Sequence, residues 1–217
     1  MNIEQARFNM VEQQVRPWEV LDQAVLDAMM TIPRERFVPD EFKRVAFSDT
    51  RIPLAHGQAM LAPKWEGRIL QALAPTKRHR ALVIGTGSGY LTALCSHLAR
   101  EVVSVDLYED FITKANRKFR ANGLKNIDLQ VGDGCDGWPT AGSFDVIAVT
   151  ASAPQRRDAI ERQLSVGGRL FIVIGSAPAM EALVLTRSTL DVLESESLFE
   201  LELEPLVGAE AKPQFEF

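Results

Sequence analysis

Residues 81–90 (Ala-Leu-Val-Ile-Gly-Thr-Gly-Ser-Gly-Tyr) run from a short apolar stretch into three alternating glycines, Gly85, Gly87 and Gly89. An apolar run of that length, closed by glycines, reads as a buried strand that turns tightly into a helix. Glycine reaches positive φ at no steric cost and lets the backbone approach a ligand, so the turn can also act as a cradle. The same rhythm continues downstream, with strand candidates at 81–84, 101–106, 127–131, 144–150, 169–174, 182–187 and 193–203 and helical intervals at 91–99, 111–122 and 155–164. Strands separated by helix-length intervals lie parallel, whereas the last two leave little room for a crossover helix and fit a hairpin. The expected fold is α/β: a seven-stranded, mainly parallel, doubly wound sheet over 81–217.

Residues 1–80 read differently and are expected to form an N-terminal helical extension, packed with the sheet as one compact unit. Val20, Leu21, Ala24, Val25, Ala28 and Met29 make an apolar stripe at helical spacing, with Pro17 and Pro33 as its expected boundaries. Pro39, Pro53, Gly57 and Pro63 punctuate an irregular stretch over 37–63, and a second helical pattern covers 65–73. Ordered connections that long are usually functional.

Composition removes several classes of function. Lys and Arg number 24 against 29 Asp and Glu, for a formal charge of −5, so no global field draws the chain to a nucleic acid. The longest uncharged apolar stretch, 170–180, falls short of the ~20 residues a membrane helix needs. The first ten residues lack the apolar core of a secretory signal, and a cytoplasmic location is expected. Cys95 and Cys135 have neither metal-site nor redox-pair spacing, and His56, His79 and His97 are scattered, so no metal site is expected.

Two acids follow the glycine turn at strand ends. Asp106 closes the second strand, where a carboxylate can accept both hydroxyls of a ribose. Asp133 and Gly134 lie in Gly-Asp-Gly after the third strand, where a carboxylate can meet an exocyclic amine and a backbone N–H a ring nitrogen. Alone, the first is an ordinary solvated acid and the second an ordinary turn. Together with the glycines they describe an adenosine site on one rim of the sheet. Tyr90 occupies the place of the third glycine of a dinucleotide fingerprint, which disfavours a nicotinamide cofactor.

These residues resemble the class I S-adenosylmethionine-dependent methyltransferases and, more narrowly, the protein-L-isoaspartate O-methyltransferase family. The narrower likeness rests on residues 83–90, on Gly132-Asp-Gly134, on 144–153 and on 163–170. In the N-terminal half it rests on 10–14, 25–29 and Pro33-Arg-Glu-Arg-Phe-Val-Pro39. It implies a Rossmann-like sheet with a final reversed strand, S-adenosyl-L-methionine as cofactor and an L-isoaspartyl polypeptide as substrate, methylated on its carboxylate in protein repair. It implies a cofactor site made of Gly85, Thr86, Gly87, Ser88, Gly89, Asp106, Leu107, Asp133 and Gly134, and a substrate loop at 57–63. No membrane or nucleic-acid partner is expected, and the chain is read as a monomer or homodimer.

The loop departs from the family pattern Gly-Gln-Thr-(Ile/Val)-Ser-x-Pro, carrying Ala59 for the threonine and Leu61 for the serine. An ionised carboxylate needs alignment and water exclusion rather than a general base. Gln58 is then a candidate donor, and His56 a candidate donor or base; the plainer alternatives are a loop tether and a half-exposed loop residue. Ala59, Met60 and Leu61 either line a pocket for a less polar acceptor or pack beneath the cofactor. Trp18 and Trp65 are expected to pack helices, and Phe215 and Phe217 to dock on the body or cover the site. Three readings stay open: isoaspartate methylation, methylation of another acceptor including a small molecule, and cofactor binding without catalysis.

Overall fold

The computed structural model describes residues 2–209, so Phe215 and Phe217 lie outside the described residues. The chain opens with α1 (Ile3–Met10), continues through a wide turn at Val11–Val15 and enters α2 (Gln23–Thr31). Asp22 starts α2 by accepting from the backbone N–H of Ala24 at 2.8 Å. The helix thus begins later than the apolar stripe: Val20 is buried ahead of it, and Leu21 is exposed with its N–H donated to Gln71. A two-strand ribbon, β1 (Ile52–Pro53) and β2 (Ala59–Met60), precedes α3 (Pro63–Leu73).

The main sheet comprises β3 (Arg80–Ile84), β4 (Glu101–Asp106), β5 (Ile127–Val131), β6 (Phe144–Ala153), β7 (Leu164–Ser176), β8 (Ala179–Arg187) and β9 (Leu193–Glu200). Between them run α4 (Tyr90–Leu98), α5 (Glu109–Ala121) and the four-residue α6 (Asp158–Glu161). The strand order is β5-β4-β3-β6-β7-β8-β9. The first five of these are mutually parallel, and β7–β8 and β8–β9 pair antiparallel. The reversed strand is therefore the sixth, β8, and not the last, because two successive hairpins turn the chain twice. The helix expected over 155–164 shrinks to α6. Residues 155–157 stay outside the helix, with Arg156 paired to Glu161 and Arg157 to Asp136.

Both faces of the sheet are covered, as the unbroken apolar β3 requires. Ala81 and Val83 face a core shared with Met10, Val25, Met29, Phe37 and Leu70 of the N-terminal segment. Leu82 and Ile84 face a second core with Val105, Ile147, Ile160 and Leu206. The irregular stretch over 37–63 is pinned by Arg34, which is fully buried. Its guanidinium donates to the carbonyls of Ala46 (2.9 Å) and Leu61 (2.7 Å) and pairs with Glu66. Among the described residues no helix is long and apolar enough to cross a membrane.

Candidate active site

The carboxyl ends of β3, β4, β5 and β6 open onto one pocket, where an open α/β sheet presents its ligand site. Its floor is glycine backbone. Gly85 has φ +92° and Gly87 φ +50°, and a Cβ on Gly85 would lie 2.2 Å from Thr150 Oγ1. That hydroxyl donates to the Gly85 carbonyl at 2.9 Å, tying β6 to the turn. A Cβ on Gly134 would sit 2.7 Å from Ile84 Cγ2, so the Gly-Asp-Gly backbone also passes where only glycine fits.

Asp106 ends β4 nearly buried. It accepts from the N–H of Gly87 at 2.8 Å through Oδ2 and from Tyr108 at 3.0 Å through Oδ1. Burial pushes its carboxyl above the ordinary aspartate value, and the N–H donors of Gly87, Tyr108 and Thr86 oppose that rise. Asp133 also lines the pocket and accepts from the N–H of Cys135 at 2.8 Å. Leu107, which is 41% exposed, and Val207, which is 46% exposed, put bare apolar side chains on its walls. With two acids, no Lys or Arg among its lining residues, and apolar walls, the pocket suits a ligand that carries a flat ring and positive charge.

Gly85, Gly87, Asp106, Leu107, Asp133 and Gly134 thus come together, whereas Thr86, Ser88 and Gly89 do not line this pocket. The Thr86 hydroxyl lies 2.8 Å from Ser104 Oγ within the fold, and Ser88 Oγ accepts from the Tyr90 N–H at 3.2 Å. Gly89 precedes α4 with φ +87° and packs against the Phe119 ring.

The loop between β1 and β2, with the first residue of β2, forms the opposite wall through Leu54, Gln58 and Ala59. Met60 and Leu61 are buried in the core beneath it, so of the three apolar loop residues only Ala59 meets the pocket. His56 does not line the pocket. It holds φ +57°, stacks on Tyr108 at 3.9 Å with 2° between the ring planes, and places Nε2 2.8 Å from Asp110 Oδ1. Gln58 does reach the pocket, and its Nε2 makes only a long 3.4 Å contact to the His56 carbonyl. Trp18 and Trp65 meet edge to face at 5.2 Å, and Trp65 stacks on Phe199, which makes them packing residues.

Several pocket residues escape sequence reasoning. Tyr108 and Phe111 carried a usable signal, aromatic residues two and five positions after the strand-end acid, but Thr150 and the segment 205–207 carried none. That segment returns from β9 across the end of β6. The Ser152 N–H donates to the Glu204 carbonyl at 2.9 Å and the Leu206 N–H to the Ser152 carbonyl at 2.8 Å. Among the described residues no group of three or more His, Cys, Asp or Glu side chains could hold a metal ion.

Known proteins resemble this chain in architecture and in sequence. A protein-L-isoaspartate O-methyltransferase from Plasmodium falciparum, solved in complex with S-adenosyl-L-homocysteine, superposes with a TM-score of 0.80. It has 19% identity and covers 95% of this chain and 98% of its own. At that identity the likeness concerns the fold alone. A protein-L-isoaspartate O-methyltransferase from Brucella anthropi is 36% identical over 98% of this chain and 98% of its own length. One from Opitutus terrae is 39% identical over 82% of this chain and 77% of its own. The family model described as Protein-L-isoaspartate(D-aspartate) O-methyltransferase matches residues 5–210. With a family match over nearly the whole chain and full-length relatives above a third identical, the chain belongs to the protein-L-isoaspartate O-methyltransferase family.

Proposed function

We propose that this protein is an S-adenosylmethionine-dependent O-methyltransferase whose acceptor is the free α-carboxylate of an L-isoaspartyl residue in a polypeptide. Family membership supports the activity and the cofactor. The observation that carries the reading is the pairing of a glycine cradle with two strand-end acids beneath the β1–β2 loop.

S-Adenosylmethionine supplies a methyl group on a positively charged sulfur, so a carboxylate oxygen gains the methyl while the carbon–sulfur bond breaks and no proton moves. This chain's residues supply the alignment. In this reading Asp106 accepts from the ribose hydroxyls, Asp133 and the Gly134 backbone meet the adenine, and Gly85 and Gly87 give the methionine portion room. Leu107 and Val207 flank the base. Gln58 is the one loop side chain with amide donors at the pocket, and it orients the acceptor. The His56 ring is engaged by Tyr108 and Asp110, so it holds the loop and does not serve as a base. Displacement by an anion that is already ionised needs none.

The test is the chemical class of the product. With methyl-labelled S-adenosylmethionine and an isoaspartyl peptide, the label should appear in the peptide and leave as volatile methanol under mild base, as a carboxyl methyl ester does. A base-stable label would assign methylation to nitrogen or to an ether oxygen and overturn the reading.

A further inference from the structure

A carboxylate acceptor approaching this pocket meets two acids and no lining cation. One candidate partner for its charge stands one residue before β1. Arg51 precedes Ile52, which pairs with Met60 while Pro53 pairs with Ala59. Side chains alternate along a strand, so Arg51 falls on the face of the ribbon opposite Ile52, the face by which Ala59 meets the pocket.

Arg51 Nη2 pairs with the carboxylate of Glu204. The three residues that follow Glu204 form the far wall of the pocket. The pair therefore bridges the acceptor loop and the returning C-terminal segment. Each partner is about one-third exposed, 34% and 33%, and ion pairs so placed are weak and exchangeable. Arg51 Nε is buried with no hydrogen-bond partner, so Glu204 holds the guanidinium through Nη2 and not through a two-donor fork. A partly exposed guanidinium held through one nitrogen is suited to exchange its partner for a second carboxylate.

We propose that Arg51 binds the acceptor carboxylate, and that Glu204 holds the same guanidinium when no acceptor is present. The proposal rests on the reading of the acceptor as a carboxylate. Arg51 grips one oxygen and turns the other toward the methyl group; Glu204 competes for it and rejects acceptors too weakly charged to displace it.

The experiment measures binding to full-length protein saturated with S-adenosyl-L-homocysteine. It uses an isoaspartyl peptide and a twin carrying a carboxamide in place of that carboxylate, titrated calorimetrically into the wild type, Arg51→Met, Arg51→Lys and Glu204→Gln. Affinity for S-adenosyl-L-homocysteine in each variant serves as the control for an intact cofactor site. The wild type should prefer the carboxylate, and Arg51→Met should lose about tenfold or more of that preference with cofactor affinity unchanged. Arg51→Lys should keep part of it, and Glu204→Gln should bind the peptide several-fold more tightly. An Arg51→Met protein that keeps the wild-type preference overturns the assignment of Arg51 alone. A wild type that does not distinguish the twins overturns the carboxylate reading, and the proposal with it.

Discussion

Replacing Asp106 by Asn changes one atom and removes one charge in the pocket proposed for the cofactor. The carboxylate accepts from two backbone N–H groups, Gly87 at 2.8 Å and Tyr108 at 3.0 Å, and so shapes both the glycine turn and the turn after β4. An amide keeps one acceptor oxygen, and its NH2 then faces a donor that has lost its partner. Each hydrogen bond to a charged group contributes on the order of 1.5–3 kcal/mol, so one such loss weakens cofactor binding roughly ten- to a hundredfold. Titration calorimetry with S-adenosyl-L-homocysteine reads this directly. Thermal unfolding should agree, because a ligand at 100 times its Kd adds about 2.7 kcal/mol of stability and the variant needs far more ligand to gain it. Acidity should mimic the substitution. Because burial raises the Asp106 carboxyl, protonation removes its charge at a higher pH than for an ordinary aspartate, and cofactor affinity should fall as pH is lowered through that raised value. The sign for the ligand-free fold is opposite: this group's contribution to stability is fully present below the unfolded aspartate value of about 3.9 and is lost as pH rises through the raised folded value. An Asp106→Asn protein that binds S-adenosyl-L-homocysteine within about twofold of wild type would refute the role assigned to this carboxylate.

Three further substitutions probe the frame around the site. Gly85→Ala puts a Cβ 2.2 Å from Thr150 Oγ1 at φ +92°, and should lower stability by about 1–3 kcal/mol in denaturant titration. Adding Thr150→Ala should recover part of that loss by removing the clash, and no recovery would place the cost wholly in the backbone. His56→Ala removes the stack on Tyr108 and the contact to Asp110, which tie the β1–β2 loop to the start of α5; stopped-flow release of S-adenosyl-L-homocysteine should accelerate several-fold, and an unchanged rate would show that this contact does not hold the loop. Leu61→Ser places a hydroxyl in the core beneath the loop and should cost about 2–5 kcal/mol of stability, with no gain in activity per folded molecule; a gain would mean that position 61 serves the acceptor.

The parts of the fold that could be read from the sequence are those whose signal is local. β4 and β5 match their expected limits, and β3 begins one residue early, because each is a short run bounded by turn residues. Asp106 and Asp133 could be placed because a strand end in a parallel sheet has one rim to lie on. Side-chain direction inside the glycine turn was hidden: it is the backbone that faces the pocket, so Thr86 turns toward Ser104 and Ser88 toward the start of α4. The burial of Met60 and Leu61 was hidden as well, since a two-residue strand has no period to read and Arg34, 27 positions away from Leu61, fixes the loop. Long-range closure is the least legible of all. Arg51 and Glu204 are 153 positions apart, and neither announces that the chain returns from β9 to wall the pocket.

The most direct test of the account is the rate of methyl transfer from S-adenosylmethionine to an isoaspartyl peptide, compared with a twin differing only in a normal aspartyl linkage. Saturable transfer to the isoaspartyl peptide is expected, with none above background to its twin. Equal labelling of both peptides, or of neither while the cofactor still binds, would contradict the assignment of an isoaspartyl carboxylate as the acceptor.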